Sequence, residues 1–165
     1  MRISFTPVSF FRKPRNYSKI DENVSRSAQP QRADFKWLKD QGVTDVINFR
    51  LMKEPGIDFD EKEAVEALGM NYHNIPSVTS KPNEKNIEEF LSTVDEVTKK
   101  GGKAHIHCKA GADRTGMYAY IYKAMKGIGT PAENEAEWIN MGHHFSIFPD
   151  LIDWTKNFLK KFRGK

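Results

Sequence analysis

The sequence contains a single cysteine, Cys108, among its 165 residues. One thiol cannot form an intrachain disulfide or a cysteine-rich zinc site, and it lacks the partner thiol that a dithiol relay needs. This usage suits a reducing compartment, so we expect a cytoplasmic protein. It also leaves Cys108 as the only candidate sulfur nucleophile.

Long apolar runs are missing as well. No stretch approaches the roughly 18 consecutive apolar residues of a membrane-spanning helix, and the N-terminal sequence lacks the apolar core and cleavage site of a signal peptide. We therefore expect no transmembrane segment. The net charge of +4 mildly favours anionic partners. Basic residues at both ends could touch acidic lipid, but no aromatic-interleaved module predicts specific nucleic-acid binding.

The chemistry concentrates in residues 103–116, which read KAHIHCKAGADRTG. A short β-favouring run leads to Cys108, and an apolar helical pattern follows Thr115, so the motif predicts a strand, a loop and a helix. The small residues of the loop let backbone N–H groups turn inward beside a helix N-terminus, which makes an anion-binding nest. The predicted phosphate-binding residues of this nest are Lys109, Ala110, Gly111, Ala112 and Arg114.

Four side chains would complete such a site. The amide dipoles and Arg114 favour the thiolate of Cys108, which is the nucleophilic form. The planar guanidinium of Arg114 can bind two phosphate oxygens at once. The Thr115 hydroxyl can hydrogen-bond the sulfur as it departs in a second step, and His107 could orient the loop.

The run HCKAGADRTG resembles the His-Cys-x5-Arg-Ser/Thr signature loop of cysteine-dependent protein tyrosine and dual-specificity phosphatases. The resemblance implies a small, atypical, bacterial-type member with Cys108 as nucleophile and no metal or cofactor. The alternative for Cys108 is a buried, inert cysteine near a turn, which would not require Arg114 and Gly111.

The general acid is less clear, because the loop 76–82 carries no aspartate where the resembled family usually has one. The Cys-x4-Asp-Arg-Thr pattern resembles the loops of myotubularins and of some bacterial phosphatases, in which this aspartate is assigned as the acid. The resemblance thus implies Asp113 as the catalytic acid. The alternative is a carboxylate that pairs with a cation and braces the loop, with Glu84 as the fallback acid.

Two further basic residues, Lys109 and Arg50, are candidates for the site. Lys109 resembles the lysine of the Cys-Lys-Ala-Gly loop in phosphatase and tensin homologue lipid phosphatases, where it suits inositol phosphates; the alternative is a solvated lysine. Arg50 ends a buried strand and resembles the arginine of an Asp-Leu-Arg run in small bacterial phosphatases. It would support the phosphate site or form a salt bridge within its loop.

Helical and strand patterns alternate along the chain. They predict an α/β fold with three layers, in which a mostly parallel sheet of four or five strands carries helices on both faces, as in dual-specificity phosphatases. We expect one phosphatase domain over residues 1–165, with 1–20 as an irregular N-terminal arm and a first helix starting at Pro30. His143 and His144 lack a third ligand at metal spacing, so we interpret them as a solvated or capping pair.

These observations predict a metal-independent phosphoric-monoester hydrolase with a phosphocysteine intermediate. The expected substrates are proteins phosphorylated on tyrosine, serine or threonine. Alternatives are a phosphoinositide or inositol-phosphate phosphatase, a phosphate-binding pseudophosphatase, and more remotely a rhodanese-like sulfurtransferase, against which Arg114 and Thr115 argue.

Overall fold

The computed structural model describes residues 12–163, so the first part of the predicted N-terminal arm lies outside the described residues. Five strands form one sheet: β1 (Ser18–Lys19), β2 (Val24–Ser27), β3 (Asp45–Asn48), β4 (Asn71–Asn74) and β5 (Ala104–His107). Their order is β1-β2-β5-β3-β4, and every pair except β1–β2 is parallel. The predicted mostly parallel sheet is therefore confirmed.

Six helices cover the sheet: α1 (Asp34–Asp40), α2 (Glu61–Ala67), α3 (Glu84–Lys99), α4 (Arg114–Lys126), α5 (Pro131–Asn140) and α6 (Leu151–Arg163). The helices lie on both faces of the sheet. Adjacent residues of β3 show which helices share a face, because neighbouring side chains in a strand point to opposite faces. Val46 packs in a cluster with residues of α1 and α2, whereas Ile47 packs in a larger cluster with residues of α3, α4 and α6. The predicted three layers are present.

Local signals set most helix boundaries. The Asn83 side chain caps α3, and the predicted apolar stripe of that helix is buried at Ile87, Phe90, Val94 and Val97. Thr130 accepts a hydrogen bond from the amide of Glu133 at the start of α5. No helix within residues 12–163 combines the length and the apolar character that crossing a bilayer requires.

The predicted start of α1 at Pro30 is wrong, because the helix begins at Asp34. The Asp34 carboxylate accepts a hydrogen bond from the amide of Gln31, and the Asp34 amide donates to the carbonyl of Gln31. This local turn satisfies the backbone groups that a helix from Pro30 would otherwise use.

Strand order brings three loops together at one edge of the sheet. β5 lies in the sheet between β2 and β3, and the carboxyl ends of parallel strands meet at one edge. The loops 49–60, 75–83 and 108–113 leave β3, β4 and β5 at this edge. The first two end at least 25 residues before the cysteine loop, yet Glu54 and Ser77 from these loops contact Arg114.

Gly116 gives a direct test of how α4 packs. A Cβ atom at this position would lie 2.0 Å from Nε1 of Trp138. We expect Gly116→Ala to lower the free energy of unfolding by about 1–3 kcal/mol, because this overlap outweighs the helix-propensity gain of up to about 1 kcal/mol. Urea denaturation measures the change. The exposed Met125→Ala variant in the same helix should stay within about 0.5 kcal/mol; a stabilised Gly116→Ala protein would contradict the packing.

Candidate active site

The signature loop, residues 108–114, turns sharply between β5 and α4. Gly111 has a φ of +72°, and a Cβ there would lie 2.5 Å from backbone atoms of Ser27 and Ala28, so only glycine fits. The chain can therefore fold back tightly enough to form a cradle.

Three consecutive carbonyl oxygens of the loop are held from outside. The Lys109 carbonyl accepts from the Gln29 amide at 3.0 Å, the Ala110 carbonyl from Asn16 Nδ2 at 3.2 Å, and the Gly111 carbonyl from Arg26 at 2.7 Å. With these carbonyls turned outward, the amides between them are available to an anion on the inner side. This is the cradle that the small loop residues predict.

Arg26 carries a buried positive charge beneath the loop. Its side chain is 1% exposed and comes within 3.8 Å of the Glu137 carboxylate. Burial lowers the pKa of Arg26 to about 10, and the negative charge of Cys108 opposes that fall. The guanidinium is thus protonated at neutral pH and adds to the positive potential around the sulfur.

Cys108 and Thr115 lie buried at the base of the cradle. Within residues 12–163 the Thr115 hydroxyl has no hydrogen-bond partner although it is fully buried. An unpaired buried hydroxyl is costly, so it marks a site where a partner is expected during function.

His107 connects the loop to α2. Its Nδ1 lies 3.1 Å from the Cys108 carbonyl oxygen, and its Nε2 lies 2.7 Å from the Glu61 carboxylate. A carbonyl oxygen only accepts, so Nδ1 donates to it. Glu61 also accepts a hydrogen bond from Gln29 at 2.6 Å. The predicted orienting role of His107 thus has a structural basis, with Glu61 as a partner that sequence reasoning missed.

The guanidinium of Arg114 binds the carboxylate of Glu54 in this structure. The two terminal nitrogens of Arg114 donate to the two oxygens of Glu54 at 2.7 and 3.0 Å. Burial favours the neutral form of each group. The Arg114 and Arg50 cations nevertheless lower the pKa of Glu54 to about 2, and Glu54 and Cys108 raise the pKa of Arg114. Sequence reasoning also missed Glu54, which lies in a loop without periodicity.

Arg50 lies behind this pair. Its Nε donates to Glu54 at 2.7 Å, one terminal nitrogen donates to Gln29 at 2.9 Å, and the other donates to the Pro55 carbonyl. The side chain is 3% exposed. These contacts match the loop salt bridge that was one of the two predicted alternatives, and through Glu54 the side chain also reaches the site.

Asp113 lies at the start of α4 and contacts the loop that follows α5. Its carboxylate lies 2.8 Å from Nδ1 of His143 and 2.8 Å from Nδ1 of His144, and accepts from the His144 amide at 2.8 Å. The interpretation of these histidines as a solvated or capping pair is wrong for His143, which is buried, whereas His144 is exposed; both contact Asp113. Within residues 12–163 no group of three or more histidine, cysteine, aspartate or glutamate side chains is placed to hold a metal ion.

Two further predicted residues, Lys109 and Glu84, are exposed. Glu84 forms a 3.6 Å contact with Lys161 at the start of α3. In the loop 76–82, which has no carboxylate side chain, Ser77 is anchored to Tyr118 by a 2.6 Å hydrogen bond between their hydroxyls. A cavity of about 770 Å³ opens beside Arg50 and Glu54.

Comparison with known proteins agrees with this geometry. The profile of the family described as "DSP-PTPase phosphatase fused to NAD+ Kinase" matches residues 4–143. A DUF442 protein from Shewanella putrefaciens, described as a candidate phosphatase, has 25% identity and a TM-score of 0.77 over 90% of this chain and 92% of its own. Fold and site therefore define a cysteine-dependent phosphatase of the protein tyrosine and dual-specificity superfamily.

Within that superfamily, the chain belongs to the DSP-PTPase family whose profile it matches over residues 4–143. Two further structures share the fold. TpbA of P. aeruginosa has 17% identity and a TM-score of 0.71, covering 86% of this chain and 84% of its own. The catalytic domain of the PP-IP phosphatase SIW14 of S. cerevisiae has 15% identity and a TM-score of 0.72, covering 93% and 96%.

A curated relative is much longer than this chain. The Beta-lactamase hydrolase-like protein of Agrobacterium fabrum is 34% identical over 103 residues, which make up 61% of this chain and 23% of that protein. This chain therefore corresponds to less than a quarter of its length.

The pair of Glu54 and Arg114 predicts a pH-dependent stability. The pKa of Glu54 is about 2 in the folded protein against an ordinary value of 4.5, so the stabilisation is complete above pH 4.5 and is lost as the pH falls through 2. We expect Glu54→Gln to lower the free energy of unfolding at pH 7 by about 2–3 kcal/mol, and by progressively less below pH 4.5. Urea denaturation across pH measures both.

Glu63→Gln is the matched control. Glu63 forms an exposed 3.1 Å pair with Arg32, so its loss should cost less than about 1 kcal/mol. A Glu54→Gln cost that is equal at pH 7 and pH 2.5 would show that the ion pair does not contribute in this way.

Proposed function

We propose that this protein hydrolyses phosphoric monoesters in two steps through a phosphocysteine on Cys108. The observation that carries the proposal is the cradle itself: a buried cysteine lies inside a loop whose consecutive carbonyls are turned outward, with Arg114 at its end. Such a loop binds a tetrahedral dianion and presents its phosphorus to the sulfur.

In the first step the Cys108 thiolate attacks phosphorus, the S–P bond forms and the ester P–O bond breaks. The loop amides and the Arg114 fork stabilise the charge on the equatorial oxygens. In the second step water attacks the phosphocysteine, inorganic phosphate leaves, and the Thr115 hydroxyl donates to the departing sulfur. Most of the catalysis proposed here is preorganised electrostatics.

The acid role of Asp113 stays a prediction. Its carboxylate is engaged by His143 and His144. It would have to leave at least one of them to protonate an ester oxygen. The contacts favour the alternative that Asp113 braces the loop.

The first test is Cys108→Ser. We expect this variant to keep its fold and to bind inorganic phosphate, while kcat falls by at least about 10³-fold, because an alcohol is a poor nucleophile at neutral pH. Turnover of p-nitrophenyl phosphate in the presence of a chelator measures activity, and the rise of Tm with phosphate measures binding. Substantial turnover by the Cys108→Ser variant in the presence of the chelator would rule out the covalent mechanism.

The same assays separate the other function classes. A pseudophosphatase would bind phosphate and release none from any ester. A rhodanese-like sulfurtransferase would form thiocyanate from thiosulfate and cyanide. Release of phosphate that depends on Cys108, without thiocyanate, supports the hydrolase.

For the substrate, we propose a phosphorylated protein side chain. Exposed apolar side chains lie near Arg114 and Glu54: Val78 is 46% exposed in the cleft that contains Arg114, and Leu51 and Met52 are exposed along the cavity beside Glu54. Exposed apolar side chains beside the site suit a peptide substrate better than an inositol ring that carries several phosphates. In support, one solved TpbA structure is a complex with pTyr, whereas SIW14 is described as a PP-IP phosphatase.

The inositol-phosphate alternative rests on Lys109. We expect phosphotyrosine peptides to give a higher kcat/KM than soluble inositol phosphates or phosphoinositides. If Lys109 faces a polyanion, Lys109→Ala should lower the ratio of inositol-phosphate to phosphotyrosine kcat/KM by about fivefold, the effect of roughly 1 kcal/mol from one exposed charge. The exposed Lys126→Ala is the control. An unchanged ratio would show that Lys109 is a solvated lysine, and a preference for inositol phosphates would overturn the protein assignment.

We also propose a cytoplasmic location and a single phosphatase domain. Support comes from the lone cysteine and from the one sheet that unites the described strands. Contact with acidic lipid through the basic ends, and the absence of specific nucleic-acid binding, stay predictions.

A further inference from the structure

Glu54 occupies the place where Arg114 would hold phosphate. Its two carboxylate oxygens meet the two terminal nitrogens of Arg114 at 2.7 and 3.0 Å. Two phosphate oxygens use the same planar fork in the same side-by-side geometry. A phosphate that binds Arg114 in this way therefore displaces Glu54.

The displaced side chain stays close to the phosphate. Arg50 Nε holds one carboxylate oxygen of Glu54 at 2.7 Å, and the same guanidinium donates to the carbonyl of Pro55, the next residue. Arg50 is itself fixed by Gln29 at 2.9 Å. The backbone beside Glu54 is thus anchored, and rotation of the side chain alone can release Arg114 while the carboxylate stays on Arg50.

Other carboxylates near the cradle have fixed partners. Asp113 is bound by two histidines, and Glu61 by His107 and Gln29. The loop 76–82 has no carboxylate side chain. Among the hydrogen bonds of residues 12–163, Glu54 supplies the carboxylate that contacts Arg114.

We propose that Glu54 is the general acid of the reaction. As Cys108 attacks and the ester P–O bond breaks, the protonated Glu54 carboxyl gives its proton to the leaving oxygen, which departs as an alcohol. The resulting carboxylate then takes a proton from the water that attacks the phosphocysteine, and the sulfur leaves as thiolate. Each proton that Glu54 donates is thereby regained within one turnover.

Substrate binding would itself raise the pKa of the Glu54 carboxyl and so favour its protonated form. In the free protein the two arginines outweigh the effect of burial and hold the pKa of Glu54 at about 2. Phosphate removes Arg114 as a partner and brings negative charge next to the carboxyl, and both changes raise a carboxyl pKa. The carboxyl is therefore ionised without substrate, and substrate binding shifts it towards the protonated form that an acid needs.

The experiment compares Glu54→Gln and Asp113→Asn on two esters, β-glycerophosphate with an alkyl leaving group and p-nitrophenyl phosphate with an activated aryl one. The kcat/KM reports steps up to formation of phosphocysteine. We expect Glu54→Gln to lower it by at least about 10²-fold on the alkyl ester and by less than tenfold on the aryl ester, which needs no proton. Asp113→Asn should lower both by the same factor, as a lost brace would.

Two controls keep the outcomes separate. Glu54→Asp retains a shorter carboxylate and should show a smaller loss with the same dependence on the leaving group. Glu63→Gln should match the wild type on both esters. The rise of Tm with inorganic phosphate checks that each variant keeps an intact cradle.

Two results would overturn the assignment. If Glu54 is only an anion that competes for Arg114, Glu54→Gln will bind phosphate more tightly and hydrolyse both esters at least as fast as the wild type. If the leaving-group dependence appears in Asp113→Asn instead, Asp113 is the acid. The inference rests on the phosphocysteine mechanism, whose separate failure would show as wild-type turnover equal to that of Cys108→Ser.

Discussion

The contact of Arg114 with Glu54 is the interaction on which the rest of the site depends. It begins a continuous path of polar contacts that returns to the backbone of Cys108. The path runs through Arg114, Glu54, Arg50, Gln29, Glu61, His107 and the Cys108 carbonyl oxygen. It joins the loop after β3, the start of α2, the end of β5 and the start of α4. Each buried charge along it has an opposite charge or a hydrogen-bond partner, as buried charges require.

Glu54, which stabilises the fold through Arg114, and the proposed phosphate compete for the same guanidinium. Glu54 neutralises Arg114 in the free protein, whereas in the proposed mechanism a phosphate takes that position before the reaction begins. Beneath the loop, Arg26 stays charged although burial lowers its pKa to about 10, and one of its nitrogens, Nε, has no partner within residues 12–163. The protein thus keeps positive potential in its interior at a desolvation cost, which is the arrangement expected of an anion-binding site.

Structural features formed by residues close together in the sequence were predictable, whereas contacts between distant loops were not. The spacing of Cys108 and Arg114 predicted the cradle because a strand, six loop residues and a helix start form a local unit. The stripe of α3 was equally local. Glu54 meets Arg114 across 60 residues, and His143 meets Asp113 across 30. These partners come from segments without periodicity, so no pattern marked them. Strand order brings Glu54 to Arg114, whereas the packing of α5 on α4 brings His143 to Asp113. The misplaced start at Pro30 shows the reverse case, in which a local turn overrides a propensity signal.

A crystal structure of Cys108→Ser with a bound phosphotyrosine peptide tests the central claim most directly, because it shows which anion Arg114 holds. The account predicts that the phosphate lies on the loop amides and the Arg114 fork, with Glu54 retained by Arg50 and within hydrogen-bond distance, about 3 Å, of the ester oxygen. An unchanged pair of Glu54 and Arg114, with the phosphate bound elsewhere, would contradict it.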